Sequence, residues 1–259
     1  MSQIASPQNP RLKAIRRLHT KRERVRSGAF LAEGEDLIAA AKQAGRPVLE
    51  GYRLAGSGLG NDDFHDVERS ALASVSALGS STRVMAVYEQ RWGPAVGPLC
   101  VYLHRVGDPG NVGAVLRSAE AFGASCVVLG PGCADPHGPK AVRASMGAIF
   151  TVALARVSSI AELPGERVAL AADASEALQG PLEAITLLIG SERHGLPEEI
   201  VAACERSARI PIASHSLNAA MAATVALYEM TIRSPRHDRS HPTAPQRGRE
   251  RDRARSLKR

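Results

Sequence analysis

The stretch GDPGNVGAVLRSAEAFGAS, residues 107–125, decides how the second half of this chain is read. It is a turn punctuated by glycine and proline that runs into a helix, with Val112, Val115, Leu116, Ala119 and Phe122 forming an apolar stripe and Arg117 roughly opposite. The apolar run LCVYLH, 99–104, stands just before it, and SCVVLG, 125–130, just after. Three further runs, VALAA (168–172), ITLLIG (185–190) and ARIPI (208–212), alternate with helix-like segments. Continuous apolar strands separated by helices predict a parallel sheet covered on both faces, hence an α/β fold. Open parallel sheets hold their ligands at the carboxyl ends of the strands, so the turn at 107–111 is a candidate binding loop.

The glycines of that turn narrow the ligand. Gly107, Gly110 and Gly113 fit neither the G-x-G-x-x-G of a dinucleotide fold nor the G-x-x-x-x-G-K-[ST] of a phosphate loop. The next strand ends SCVVLGPG, without the carboxylate that would hold a ribose, which disfavours a nicotinamide-type enzyme. Asn111 is placed to cap the helix. On this stretch alone Arg117 reads first as an ordinary solvated arginine.

Two more loops follow strands in the same way. ITLLIGSERHGLPEE, 185–199, carries Gly190, Glu192 and Gly195, then Pro197 at a plausible first helical position ahead of Glu198 and Glu199. Taken alone, Glu192 and His194 are common loop side chains. ARIPIASHSLNAAMAATVALYEM, 208–230, passes through Ser216 and Asn218, either of which can cap, into a helix over 219–232 that is apolar nearly all round. Such a helix is expected to be buried on every side, and near a chain end that points to a second subunit.

Composition supports a folded protein with a polyanionic partner. A chain of 259 residues with 44% hydrophobic content can bury one large core or two modest ones. Cys100, Cys126, Cys133 and Cys204 form no C-x-x-C pair and the eight histidines show no ligand spacing, so neither a disulfide framework nor a metal is expected. No window reaches the roughly 18 apolar residues of a membrane span, and the first residues lack a signal-peptide core, which predicts a cytoplasmic protein without membrane contact. The net charge of +7 divides into +7 over residues 1–26, −7 over 27–232 and +7 over 233–259. Basic ends around an acidic body suit a polyanion held at its edges.

At the N-terminus, QNPRLKAIRRLHTKRERVR, 8–26, spaces Leu12, Ile15, Leu18 and Val25 as one basic amphipathic helix. Arg11, Lys13, Arg16, Arg17, Lys21 and Arg22 are its candidate contacts to a polyanion. FLAEGEDLIAAAKQAG, 30–45, predicts a helix with Glu33 to Asp36 at its start and Gly45 at its exit. The Gly- and Pro-rich QRWGPAVGP, 90–98, marks a boundary. Domains are therefore expected over 1–92 and 97–233, followed by a disordered basic tail over 234–259 that has too few apolar residues to order.

Each loop alone is a weak signal, but the three agree. N-x-G-x-x-x-R-S-A-x-A-F-G (Asn111 to Gly123), I-G-S-E-x-x-G-L (Ile189 to Leu196) and R-I-P-I-x-x-x-x-S-L-N (Arg209 to Asn218) resemble the three signature motifs of the SpoU, or TrmH-like, RNA ribose 2'-O-methyltransferases of the SPOUT superfamily. VRASMGAIF, 142–150, is similar to the segment those enzymes carry between the first two motifs. RLKAIRRL with FLAEGEDLI resembles their L30e-like N-terminal substrate-binding domain, so the resemblance spans residues 5–232.

The resemblance implies a C-terminal α/β domain with a deep trefoil knot and a small α/β L30e-like domain before it. It also implies S-adenosylmethionine as cofactor, held by Ile189, Gly190, Gly195, Leu196, Ile210, Leu217 and Asn218. Arg117, Asn111, Glu192, Ser216 and Asn218 are the implied catalytic group, with Arg117 orienting the RNA phosphate and stabilising developing alkoxide charge. A homodimer through helix 219–232 and no metal are implied as well. The N-terminal domain points to structured RNA, large-subunit ribosomal RNA ahead of transfer RNA. Two alternatives are a tRNA 2'-O-methyltransferase and a catalytically silent RNA-binding ribosome-assembly protein. The third motif departs from the family in reading Ile-Ala where Met is usual and NAAMAAT where a NVSVA-like run is common, with the local shape kept.

Overall fold

The computed structural model describes residues 3–77, 82–180, 184–213 and 217–231. Within them the chain forms two sheets. The first contains β1 (Ala29–Glu33), β2 (Glu50–Leu54), β3 (His65–Val67) and β4 (Val84–Glu89) in the order β1-β4-β2-β3, with β4 antiparallel to both neighbours. Helices α1 (Pro10–Leu18), α2 (Lys21–Ser27), α3 (Glu35–Gln43) and α4 (Arg69–Ala73) accompany it.

Here the structure corrects two expectations. The basic stretch 8–26 is two helices, because the Thr20 side chain accepts from the Glu23 N–H at 3.3 Å and restarts the helix. The restart shifts the phase, so Arg24 is buried and Val25 is 61% exposed. FLAE belongs to β1 rather than to a helix, and Glu33 closes that strand with its carboxylate buried, accepting from Ser76 Oγ at 2.6 Å and Ala77 N–H at 2.9 Å. The predicted helix does begin at Glu35 and exit at Gly45.

The second sheet has six strands, β5 (Leu99–Leu103), β6 (Cys126–Leu129), β7 (Ala153–Arg156), β8 (Glu166–Leu170), β9 (Ile185–Ile189) and β10 (Arg206–Ala208). All pair in parallel in the order β10-β8-β9-β5-β6-β7, as the apolar runs predict. Strand β7 was not foreseen: four residues with only the middle two buried give little periodicity to read. Strand β10 ends at Ala208, short of the predicted 208–212, because the chain then leaves the sheet.

Helices α5 (Pro109–Ala121), α6 (Pro139–Ala144), α7 (Glu198–Ala202) and α8 (Ala219–Thr231) complete this half. The cap of α5 is Asp108, whose carboxylate accepts from the Asn111 N–H at 2.9 Å, so Asn111 lies inside the helix with its side chain free for other work. Pro197 is the residue before α7 rather than its first. Helix α8 is not covered on every side, since Met221, Val225 and Tyr228 are exposed. Ser216 and the basic tail over 234–259 lie outside the described residues, as does the path between Ala213 and Leu217 on which the expected knot depends.

The two sheets share one continuous core. Phe30 and Tyr88 of the first sheet meet Phe150 of the second half at centroid distances of 5.9 and 4.8 Å, and His137 reaches Phe30 at 4.9 Å. A buried ion pair, Arg24 with Asp135 at 2.8 Å, and an exposed one, Arg143 with Asp36 at 2.7 Å, cross the same seam.

Candidate active site

At the carboxyl ends of β8 and β9 lies a cleft of about 660 Å³, the size of a nucleoside-type ligand. Its floor is the loop after β9. An added Cβ on Gly190 would fall on the Gly195 carbonyl and the Leu196 nitrogen, so only glycine lets the two arms of this loop touch. The Gly195 N–H closes the loop on the Ser191 carbonyl at 2.9 Å.

Of the residues expected to hold the cofactor, Ile189, Gly190, Gly195, Leu196, Ile210 and Leu217 line the cleft. Asn218 does not. The lining is apolar on Leu170, Ile189, Leu196, Ile210 and Leu217, a surface for a purine face and a ribose edge. The backbone N–H groups of Leu196 and Ile210 have no partner among the described residues, which leaves two donors on residues that line the cleft. Asp173, Glu192 and Glu198 bring carboxylates to the lining, with Arg193 and His194 among them. Sequence reasoning missed the wall Leu170, Ala171, Ala172 and Asp173 and the α8 residues Ala219 and Ala222. The first group is the carboxyl end of VALAA together with the residue after it, the same strand-end position that the other loops occupy.

The catalytic candidates are tied by side-chain hydrogen bonds. Asn111 Nδ2 donates to the Glu192 carboxylate, and Asn111 Oδ1 accepts from Asn218 Nδ2 at 3.0 Å. Asn218 Oδ1 in turn accepts from the N–H groups of Ala220 at 2.9 Å and Met221 at 3.3 Å, capping α8. The three motifs therefore converge on one relay. From it α8 runs alongside α5 in register, with Ser118 and Thr224 hydroxyls 2.6 Å apart and Phe122 edge-on to Tyr228 at 6.1 Å.

Arg117 is not brought into this group. It lies six residues beyond Asn111, about 120° round the helix, and its exposed side chain makes no hydrogen bond or ion pair among the described residues. His104 follows β5, its N–H donating to the Ile189 carbonyl at 2.8 Å and its Nδ1 3.1 Å from the Tyr102 hydroxyl. Burial lowers the His104 pKa, with Arg105 adding to the effect.

The six candidate RNA contacts are all exposed. Arg11 pairs with Glu50 and Arg16 reaches Ser74 Oγ at 3.4 Å, whereas the side chains of Lys13, Arg17, Lys21 and Arg22 make no hydrogen bond or ion pair among the described residues. Among the described residues no cluster of side chains could hold a metal ion, and no helix is long and apolar enough to cross a membrane.

Known proteins agree with this geometry. The sequence model of the SpoU rRNA methylase family matches residues 98–228, and that of the MRM3-like substrate binding domain matches 9–86. The chain is 29% identical to the 23S rRNA (guanosine(2553)-2'-O)-methyltransferase RlmP of Bacillus subtilis, over 89% of this chain and 99% of that one. It is 31% identical to a 23S rRNA (uridine(2479)-2'-O)-methyltransferase of Streptomyces viridochromogenes, over 82% and 85%. The AdoMet-bound rRNA methyltransferase from Sinorhizobium meliloti is similar in structure, with a TM-score of 0.79, 29% identity and coverage of 88% and 96%. With both halves matched and the three motifs joined in one relay, the chain belongs to the SpoU rRNA methylase family and is an S-adenosylmethionine-dependent RNA 2'-O-methyltransferase.

Proposed function

We propose that the protein methylates a ribose 2'-hydroxyl of 23S ribosomal RNA, in the cytoplasm and as a homodimer. The observation that carries the reading is the Asn218, Asn111, Glu192 relay, which joins three loops at the rim of a nucleoside-sized cleft. The cofactor supplies a methyl group on a sulfonium that is already a good leaving group. What remains for the protein is to position the 2'-oxygen and to stabilise the charge that develops on it.

Gly190, Leu196 and Ile210 hold the cofactor through backbone groups and apolar contact, and the relay fixes the loops that carry them. A guanidinium is a donor without an acceptor site, so the work of Arg117 is to orient the RNA phosphate and stabilise alkoxide charge rather than to take a proton. Its place outside the relay of its own chain supports a site completed by a second copy. Met221, Val225 and Tyr228 form an exposed stripe on α8 at helical spacing, an apolar face suited to a matching face. The division of labour puts RNA capture in residues 1–92, where the unpaired cations of α1 and α2 stand, and methyl transfer in 97–233.

The test is transfer of tritiated methyl from S-adenosylmethionine to ribosomal RNA from a deletion strain, with wild type compared against Arg117→Ala. Label on a ribose 2'-oxygen of 23S rRNA, abolished in the variant, is expected. Label on transfer RNA would move the substrate, and cofactor binding without transfer to any RNA would overturn the reading.

A further inference from the structure

Among the described residues only Arg105 (φ 55°) and Met146 (φ 51°) adopt a left-handed backbone without being glycine. Met146 belongs to the turn that ends α6, where its N–H donates to the Arg143 carbonyl at 3.2 Å and Gly147 follows. Helix ends of that kind account for it. Arg105 ends no helix. It follows β5 and is pinned from several sides: its N–H donates to the Pro131 carbonyl at 3.0 Å, the His104 N–H to Ile189 at 2.8 Å, and the Ala134 N–H to Val106 at 2.9 Å.

A left-handed conformation is unfavourable for any residue with a Cβ and free for glycine. Arginine at this position is a conflict between local preference and fold, of the sort that gathers at functional sites. Its side chain runs beside Gly132, whose added Cβ would lie 2.9 Å from Arg105 Cγ. The guanidinium is exposed and makes no hydrogen bond or ion pair among the described residues. Through His104 the same backbone is bonded to Ile189, the residue before Gly190, and four residues later the chain enters α5 and the relay.

We infer that Arg105 is a positioning residue that grips a phosphate of the substrate RNA next to the target nucleotide, an inference that rests on the RNA-methyltransferase reading above. A rigid backbone holding an unpaired guanidinium at the cleft side of the sheet matches the forked recognition that phosphate oxygens favour. The strained backbone sets the direction of the fork.

The experiment compares wild type, Arg105→Gly and Arg105→Lys in melting temperature, S-adenosylmethionine affinity, binding of a 23S rRNA transcript across a salt series, and steady-state methylation. Arg105→Gly is expected to melt no lower than wild type and to bind cofactor equally, yet to bind RNA several-fold more weakly. Its plot of log affinity against log salt should be shallower by about 0.7–0.9, one phosphate contact, with KM for RNA raised more than kcat is lowered. Arg105→Lys should restore the salt slope. A glycine variant with wild-type RNA affinity and slope would overturn the inference, and so would one that loses cofactor affinity and melts lower, since the role is then structural. Absence of transfer to RNA by the wild type would instead be a failure of the functional reading.

Discussion

Asn218 Nδ2 and Asn111 Oδ1 lie 3.0 Å apart across 107 residues of sequence, so the start of the last helix and the first turn of α5 are fixed to each other by one amide pair. Asn218 has two separable duties, because its oxygen caps α8 while its nitrogen serves Asn111. Asn218→Asp keeps the cap and loses the donor. It should therefore weaken S-adenosylmethionine binding by a factor near ten, roughly 1–1.5 kcal/mol, with little change in thermal stability. Asn218→Ala should lose in addition about 1 kcal/mol of stability with the cap. Calorimetric titration and melting curves separate the two, and equal behaviour of both variants would contradict the division.

Gly190 offers a sharper test of the cofactor loop. Gly190→Ala forces apart the two arms that meet at Gly195 and Leu196, and is expected to abolish cofactor binding in titration. Gly107→Ala, where a Cβ meets nothing within 4 Å, is the matched control and should bind as wild type does.

At the seam, Asp135→Ala strands the buried Arg24 guanidinium, which among the described residues keeps the Leu18 carbonyl at 2.7 Å as its one remaining partner. Breaking one half of a buried pair costs about 3–5 kcal/mol. The double variant Arg24→Met with Asp135→Leu should recover much of that loss in urea unfolding.

His137 makes the seam sensitive to acid. Burial pushes its pKa down to about 4, with Asp135 opposing and Arg156, Arg24 and Arg46 reinforcing. The unfolded chain takes up this proton near pH 6.5. The stabilisation is therefore complete above about pH 6.5 and is lost progressively as pH falls toward the folded value, by roughly 3 kcal/mol in all. Urea midpoints across that window should slope for wild type and flatten for His137→Gln.

In the proposed homodimer the exposed stripe Met221, Val225 and Tyr228 on α8 is the subunit interface. Val225→Glu together with Tyr228→Glu is expected to give a monomer by light scattering that retains cofactor binding and loses methyl transfer. A stable dimer in that variant would place the subunit interface elsewhere.

Much of this architecture is legible in the sequence because parallel strands are long apolar runs. LCVYLH and ITLLIG became β5 and β9 within a residue of their predicted ends. The site loops were legible for the same reason, since each follows such a run. Two kinds of feature were hidden. Arg24 reads as one more cation in a basic helix, and only the phase shift at Thr20 buries it against Asp135. Asn111 reads as a cap because nothing local shows that Asp108 already fills that duty, nor that Asn218 and Glu192 arrive from far along the chain.

The aromatic seam of Phe30, Tyr88, Phe150 and His137 has a bearing on how a target nucleotide is chosen. Because the two sheets are packed through one core rather than tethered by a linker, the span from the cations of α1 and α2 to the cofactor cleft is fixed. With RNA seated on the basic helices as proposed, the molecule would work as a gauge of set length, offering for methylation only the ribose that lies one such span away.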